Sequence, residues 1–194
     1  MDLAFLNSLI FFVGLIIAIT IHEFSHAFTA DYFGDPTPRS YGRVTLNPLA
    51  HLDPLGTLML FVAHFGWGKP VPVDPYNLSK REDILVALAG PASNLLLACL
   101  LAVVIRFVPL SFIAIFIQTN IVLAVFNLLP IPPLDGSKIF LNILPENQSY
   151  EWQKAFEQYG FILLAVLLFL PIGGSNIISL IISPVIGLIL NLLL

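Results

Sequence analysis

Residues 3–26 read LAFLNSLIFFVGLIIAITIHEFSH. From Leu3 to Ile21 there is no charged residue. At about 1.5 Å per helical residue this run matches the roughly 30 Å of a bilayer's hydrocarbon core. The helical pattern then continues past His22, Glu23 and His26 to about Tyr32. An ionisable group within a membrane helix costs about 2.5–3.5 kcal/mol and persists where it pairs with or ligates something. One stretch therefore announces both a membrane span and a polar site near its end.

The rest of the chain agrees with that class. Its 194 residues are 58% hydrophobic and 10% charged, with a mean hydropathy of +0.93, where a soluble domain carries about 25% charged residues. The expected fold is an all-α polytopic membrane protein forming one membrane-embedded unit over residues 1–194. Further spans are expected from about Ile84 to Phe107 and from Ser111 to Leu129, with Pro109 at the turn. Phe161 to Leu170 and Ile177 to Leu194 suggest a C-terminal hairpin (about 159–194) around Pro171, Gly173 and Gly174, following a solvent-facing stretch from Glu146 to Glu157. The total is about five to six transmembrane helices, with a catalytic core at about 3–144. Leu55 to Phe65 reaches only about 17 Å as a helix and is expected to be re-entrant or interfacial. Short strands near the active site are expected at Ser40–Leu46, which alternates, and at Val71–Val73.

Several classes are excluded. There is no basic cluster of the kind that binds nucleic acid. Cys99 is the sole cysteine and lies in an apolar run, so neither a disulfide framework nor a cysteine-rich metal site is expected. Met1-Asp2-Leu3 lacks the positive n-region of a signal peptide, and the first apolar run reads as a retained helix. Basic residues favour the cytoplasmic side of membrane proteins. With the N-terminus outside, Arg39, Arg43, Lys69, Lys80, Arg81, Lys138 and Lys154 fall inside and only Arg106 falls outside.

His22-Glu23-Phe24-Ser25-His26 is an H-E-x-x-H pattern on an expected helix. Residues i and i+4 share a helix face, so the two imidazoles can bind one Zn²⁺. Zinc lowers the pKa of water toward about 7, and the intervening carboxylate can take the proton and pass it to a leaving amine. With only 4 histidines in the chain, chance would produce this pattern roughly once in several hundred such sequences. A catalytic zinc needs a third protein ligand and an open position. His51, His64 and the carboxylates are the candidates. Asp135 follows Asn127-Leu-Leu-Pro-Ile-Pro-Pro-Leu, where a membrane helix is broken. Such irregular backbone at membrane depth is tolerated inside protein or along a wet cavity. On spacing alone, Asp135 is as readily an N-cap for a short helix from Gly136 to Leu144 as a ligand.

His22–His26, Gly90-Pro91-Ala92-Ser93-Asn94 and the Asn127 to Gly136 stretch, taken in that order, resemble the site-2 protease family of intramembrane zinc proteases, in its short prokaryotic form without extra domains. The resemblance spans roughly Ile10 to Leu144. It implies one zinc ion held by His22, His26 and Asp135, with Glu23 as general base. It also implies a role for Asn127 in binding substrate or stabilising the oxyanion, with an interhelical hydrogen bond as the lesser alternative for that amide. Asn94, beside small residues that let helices approach, reads as packing or support of the site. His51 lies in a loop resembling that of short prokaryotic members and, like His64, reads as a hydrogen-bonding or solvated residue.

The expected activity is endoproteolysis of a transmembrane protein substrate, in or near its span, in the cell membrane with the active site open to the cytoplasm. Residues 55–73 are expected to form a flap or edge that holds unwound substrate by strand addition. Two other readings remain open: an intramembrane metal-ion transporter, for which paired repeats should be visible, and an inactive helix-binding relative, against which the intact Glu23 counts. Substrate identity and oligomeric state are not written in the sequence.

Overall fold

The computed structural model describes residues 3–63 and 66–194. A long first helix, α1 (Leu3–Tyr32), ends where Gly34 turns to φ +98°. There the amide of Asp35 closes on Ala30 O at 3.0 Å. A short α2 (Thr37–Ser40) and α3 (Pro54–Ala63) follow within the connection to α4 (Lys80–Phe107). Ser79 and Glu82 form a capping box at the start of α4: the Ser79 hydroxyl accepts from the Glu82 amide, and the Glu82 carboxylate accepts from the Ser79 amide at 2.8 Å. After Pro109 the chain returns as α5 (Ser111–Asn127). A proline-rich turn then leads to α6 (Asp135–Ile143), α7 (Glu146–Phe169) and α8 (Ile177–Leu193).

The interior is built from small and branched residues. Ala18, Ala27 and Ala30 of α1 and Ala98 of α4 are fully buried, which brings the two backbones close. Ile117 and Ile121 of α5 fill the adjoining core, and Ile178 and Ile182 of α8 and Leu164 of α7 close it. The outer surface carries the large apolar residues instead. Phe107, Phe161 and Leu192 are 80%, 77% and 73% exposed. Among the described residues, Phe5–Tyr32 and Lys80–Phe107 are long and apolar enough to cross a membrane. Only 22% and 28% of their most apolar windows are buried within the protein. A soluble core helix would be mostly buried, so these helices present their apolar faces outward, as an all-α membrane protein must.

Local expectations fare unevenly. Ser40–Leu46 is not a strand: α2 occupies its start, and Gly42 turns the chain at φ +66°. Its apolar members share no buried face: Tyr41 and Leu46 are exposed, while Arg43 is buried. Val71–Val73 lies in no strand; the nearest pairing is a single bridge between Leu52 and Gly68. The strands among the described residues are Pro171–Ile172 (β1) and Ser175–Asn176 (β2), a hairpin joining α7 to α8. The two-residue turn at Gly173 and Gly174 has positive φ at both positions, as tight hairpins require. Leu55 to Phe65 is helical as far as Ala63. The remainder, with His64, lies outside the described residues. Glu146–Glu157 and Phe161–Leu170 are not separate segments: α7 runs through both.

Candidate metal centre

On α1, His22 and His26 stand one turn apart with their Nε2 atoms 3.1 Å from each other. Asp135, the first residue of α6, brings Oδ2 to 3.1 Å from each of those nitrogens. Leu134 occupies the cap position of α6, and the Asp135 side chain makes no cap bond. Gly136 allows this approach, since a Cβ there would overlap the carbonyls of Leu128 and Leu129 at the end of α5.

The far side of each imidazole is engaged. His26 Nδ1 lies 2.6 Å from Val86 O, a carbonyl that only accepts, so Nδ1 carries the hydrogen. Asn94 donates through Nδ2 to Ala18 O at 3.0 Å and to Asn120 Oδ1 at 2.9 Å. Its Oδ1 therefore accepts from His22 Nδ1 at 2.7 Å. In the neutral imidazoles both Nε2 atoms then present lone pairs to each other and to a carboxylate oxygen. Three electron-rich atoms at 3.1 Å call for a cation between them. Tetrahedral zinc at about 2.0–2.1 Å from its ligands sets them about 3.3 Å apart, so the donor set and its spacing both fit. His22 and His26 are 4% and 7% exposed, which keeps the cluster out of bulk solvent. Gly90 completes the fit: a Cβ on it would strike the ring nitrogens of both histidines.

Glu23, between the two histidines, turns to the side where Arg43 and Gly68 lie. Its Oε2 is 3.9 Å from Arg43 Nη2, and its Oε1 would be 3.5 Å from a Cβ on Gly68. Asn127, at the end of α5, donates through Nδ2 to Leu123 O of its own helix at 2.9 Å. Among the described residues it is not drawn into the cluster, nor does its side chain bond to another helix. His51 is fully buried, donates through Nε2 to Thr45 O at 2.7 Å, and stays apart from the metal-competent group.

Three contributors escaped the sequence reading. Val86 acts through a backbone carbonyl, which no side chain signals. Asn120 is buried in α5 and donates to Phe116 O at 2.8 Å while accepting from Asn94. Its signal was available: an amide in the middle of SFIAIFIQTNIVLAVFN. Arg43 is 3% exposed and was read only as a charge that orients the chain.

Comparison with known proteins adds an independent line. The model of "Peptidase family M50" matches residues 106–170, a range that includes Asn127 and Asp135 but not His22 or His26. YwhC of Bacillus subtilis, which carries the name zinc metalloprotease, is 41% identical over 178 residues, covering 84% of this chain and 81% of its own. Rip2 of Mycolicibacterium smegmatis, named likewise, is 38% identical over 174 residues, covering 81% of this chain and 66% of its own. The zinc metalloprotease MJ0392 of Methanocaldococcus jannaschii is 22% identical over 191 residues, covering 93% of this chain and 49% of its own. No solved structure matches.

Proposed function

Because the chain belongs to peptidase family M50, we propose that it is a zinc endopeptidase of the membrane that cuts transmembrane segments of other membrane proteins. His22, His26 and Asp135 are its zinc ligands, and Glu23 is its general base. One observation carries the ligand assignment: three lone-pair atoms converge at 3.1 Å while both Nδ1 atoms donate elsewhere.

When bound, zinc supplies a Lewis acid that polarises the scissile carbonyl and acidifies water. The protein's residues do the rest. Asn94 and the Val86 carbonyl hold the imidazoles in the tautomer that leaves Nε2 free. Glu23 takes the proton of the attacking water and hands it to the leaving amine. Asn127 binds substrate or steadies the charge growing on the carbonyl oxygen, for which its amide must swing from Leu123 toward the substrate. A transmembrane helix hides its carbonyls in internal hydrogen bonds, so the substrate unwinds locally before it is cut.

In the same reading the whole chain is one unit, with the N-terminus outside. Among the described helices α1, α4, α5, α7 and α8 are the crossing segments, and α3 lies within or along the interface. His22 then sits about 15 Å from the cytoplasmic end of α1, and water reaches it from that side. The positions of the basic residues support this orientation.

The test is metal analysis of detergent-purified protein together with cleavage of a panel of single-span substrates. Wild type should hold one zinc per chain and cleave. Glu23→Gln should keep the zinc and lose cleavage, whereas His22→Ala and Asp135→Ala should lose both. Full proteolysis by purified Glu23→Gln would sink the general-base assignment.

A further inference from the structure

Arg43 sits in the connection after α2, buried with its charge. Its guanidinium donates through Nη1 to Pro70 O at 2.8 Å and through Nη2 to Lys69 O. A buried cation needs a counter-charge, since desolvation costs several kcal/mol per ion. Among the described residues, Glu23 is the only carboxylate within 4.0 Å of it. The backbone that Arg43 grips is itself fixed. Lys69 N donates to His51 O at 2.8 Å, Gly68 bridges to Leu52, and His51 is held by Thr45. Gly68 rests on α1, where a Cβ would come within 2.9 Å of Ile19 Cγ2 and 3.5 Å of Glu23 Oε1.

The Glu23 carboxylate thus lies between two surfaces, a guanidinium facing Oε2 and the Gly68 backbone facing Oε1. The 3.9 Å separation matters. A bidentate ion pair at about 2.8 Å would engage one lone pair on each oxygen and make the carboxylate a weaker acceptor of a proton from water. At 3.9 Å the charge attracts and orients the carboxylate without a hydrogen bond from Arg43 taking its lone pairs. Because a planar fork anchored on two carbonyls has a fixed position, so has the charge.

We infer that Arg43 is a positioning residue for Glu23, setting the angle at which this carboxylate meets the attacking water by holding a buried charge beside it on the 68–70 segment. The inference rests on the proposed role of Glu23. It assigns the 43–51 loop a function in the reaction that its histidine, a tempting metal ligand, does not have.

Misplacing a catalytic group by about 1 Å can cost on the order of a hundredfold in rate. Arg43→Gln should therefore lower kcat about tenfold to a hundredfold, with KM within about threefold of wild type and one zinc per chain retained. Arg43→Lys keeps the charge but has no fork for the two carbonyls, so its kcat should fall between those of wild type and Arg43→Gln. If Arg43→Gln does not fold, Arg43→Lys alone decides, with an expected loss of about tenfold in kcat. Wild-type kcat in whichever variants fold overturns the inference, as does a fall in activity that tracks lost zinc or a rise in KM alone. Wild type and Glu23→Gln run alongside. If they behave as proposed while Arg43→Gln matches wild type, only this inference falls. A wild type that neither cleaves nor binds zinc overturns both.

Discussion

Asn94 of α4 touches two other helices at once, accepting from His22 of α1, donating to the Ala18 carbonyl of the same helix, and donating to Asn120 of α5. A supporting bond of this kind fixes both the tautomer and the orientation of a metal-binding imidazole, and its loss typically costs 10- to 100-fold in metal affinity. Asn94→Ala should weaken zinc by about that factor in competition with a chelator while leaving the helices folded. Unchanged affinity would show that the bond only packs helices together. Legibility in sequence varied with the kind of signal each residue carries. His22, Glu23 and His26 are readable because one helix sets their spacing, and no tertiary contact is needed to bring them to one face. On spacing alone Asp135 was not decidable between ligand and cap, since the same residue at the start of a helix serves either purpose, and it was the family resemblance that implied a ligand. Its carboxylate lies 113 positions along the chain from His22, and only the fold turns it toward the imidazoles.

The connection between α1 and α4 was the least readable element. Alternating residues suggested strands there, but the segment owes its shape to individual polar anchors. Asp35, fully buried, accepts from the amides of Thr37 and Asp74 at 3.1 and 2.9 Å and from Asn77 Nδ2 at 3.0 Å. Burial by itself would raise its pKa, but these hydrogen bonds outweigh it and hold the carboxyl below the ordinary carboxylate range. A depressed folded pKa means that the stability Asp35 lends is complete above its unfolded value near 4 and is lost as pH falls through the lower folded value. Asp35→Ala should cost about 2–3 kcal/mol and speed hydrogen exchange at the Asp74 amide at neutral pH. In wild type the same loosening should emerge only as pH falls below about 4. Equal exchange in both proteins at pH 7 would remove Asp35 from this role. The apolar helices were easier to read, because membrane crossing is a matter of length and composition. The continuity of α7 was not, since its sequence changes from charged to apolar midway.

Among the described residues many large apolar side chains lie on the surface, while alanines, a set of isoleucines and most of the site's polar groups lie inside, so the outer surface marks the part that lipid covers. The proposed orientation puts the α1–α4 connection in the cytoplasm and the α4–α5 turn outside. In a Cys99→Ala background, Tyr76→Cys, at a position 96% exposed, should react with a membrane-impermeant maleimide only in inside-out vesicles. Leu110→Cys should react only in right-side-out ones, and the opposite pattern would invert the assignment. The centre itself joins α1, α4, α5 and α6: two imidazoles come from the first, a carbonyl and an amide from the second, a second amide from the third and a carboxylate from the last. On the proposed ligand set, a ribosome that has delivered only α1 has made a motif without a catalyst. Activity must wait until α6 is synthesised and docked, so a half-made chain passing through the insertion machinery is harmless to the membrane proteins being made beside it.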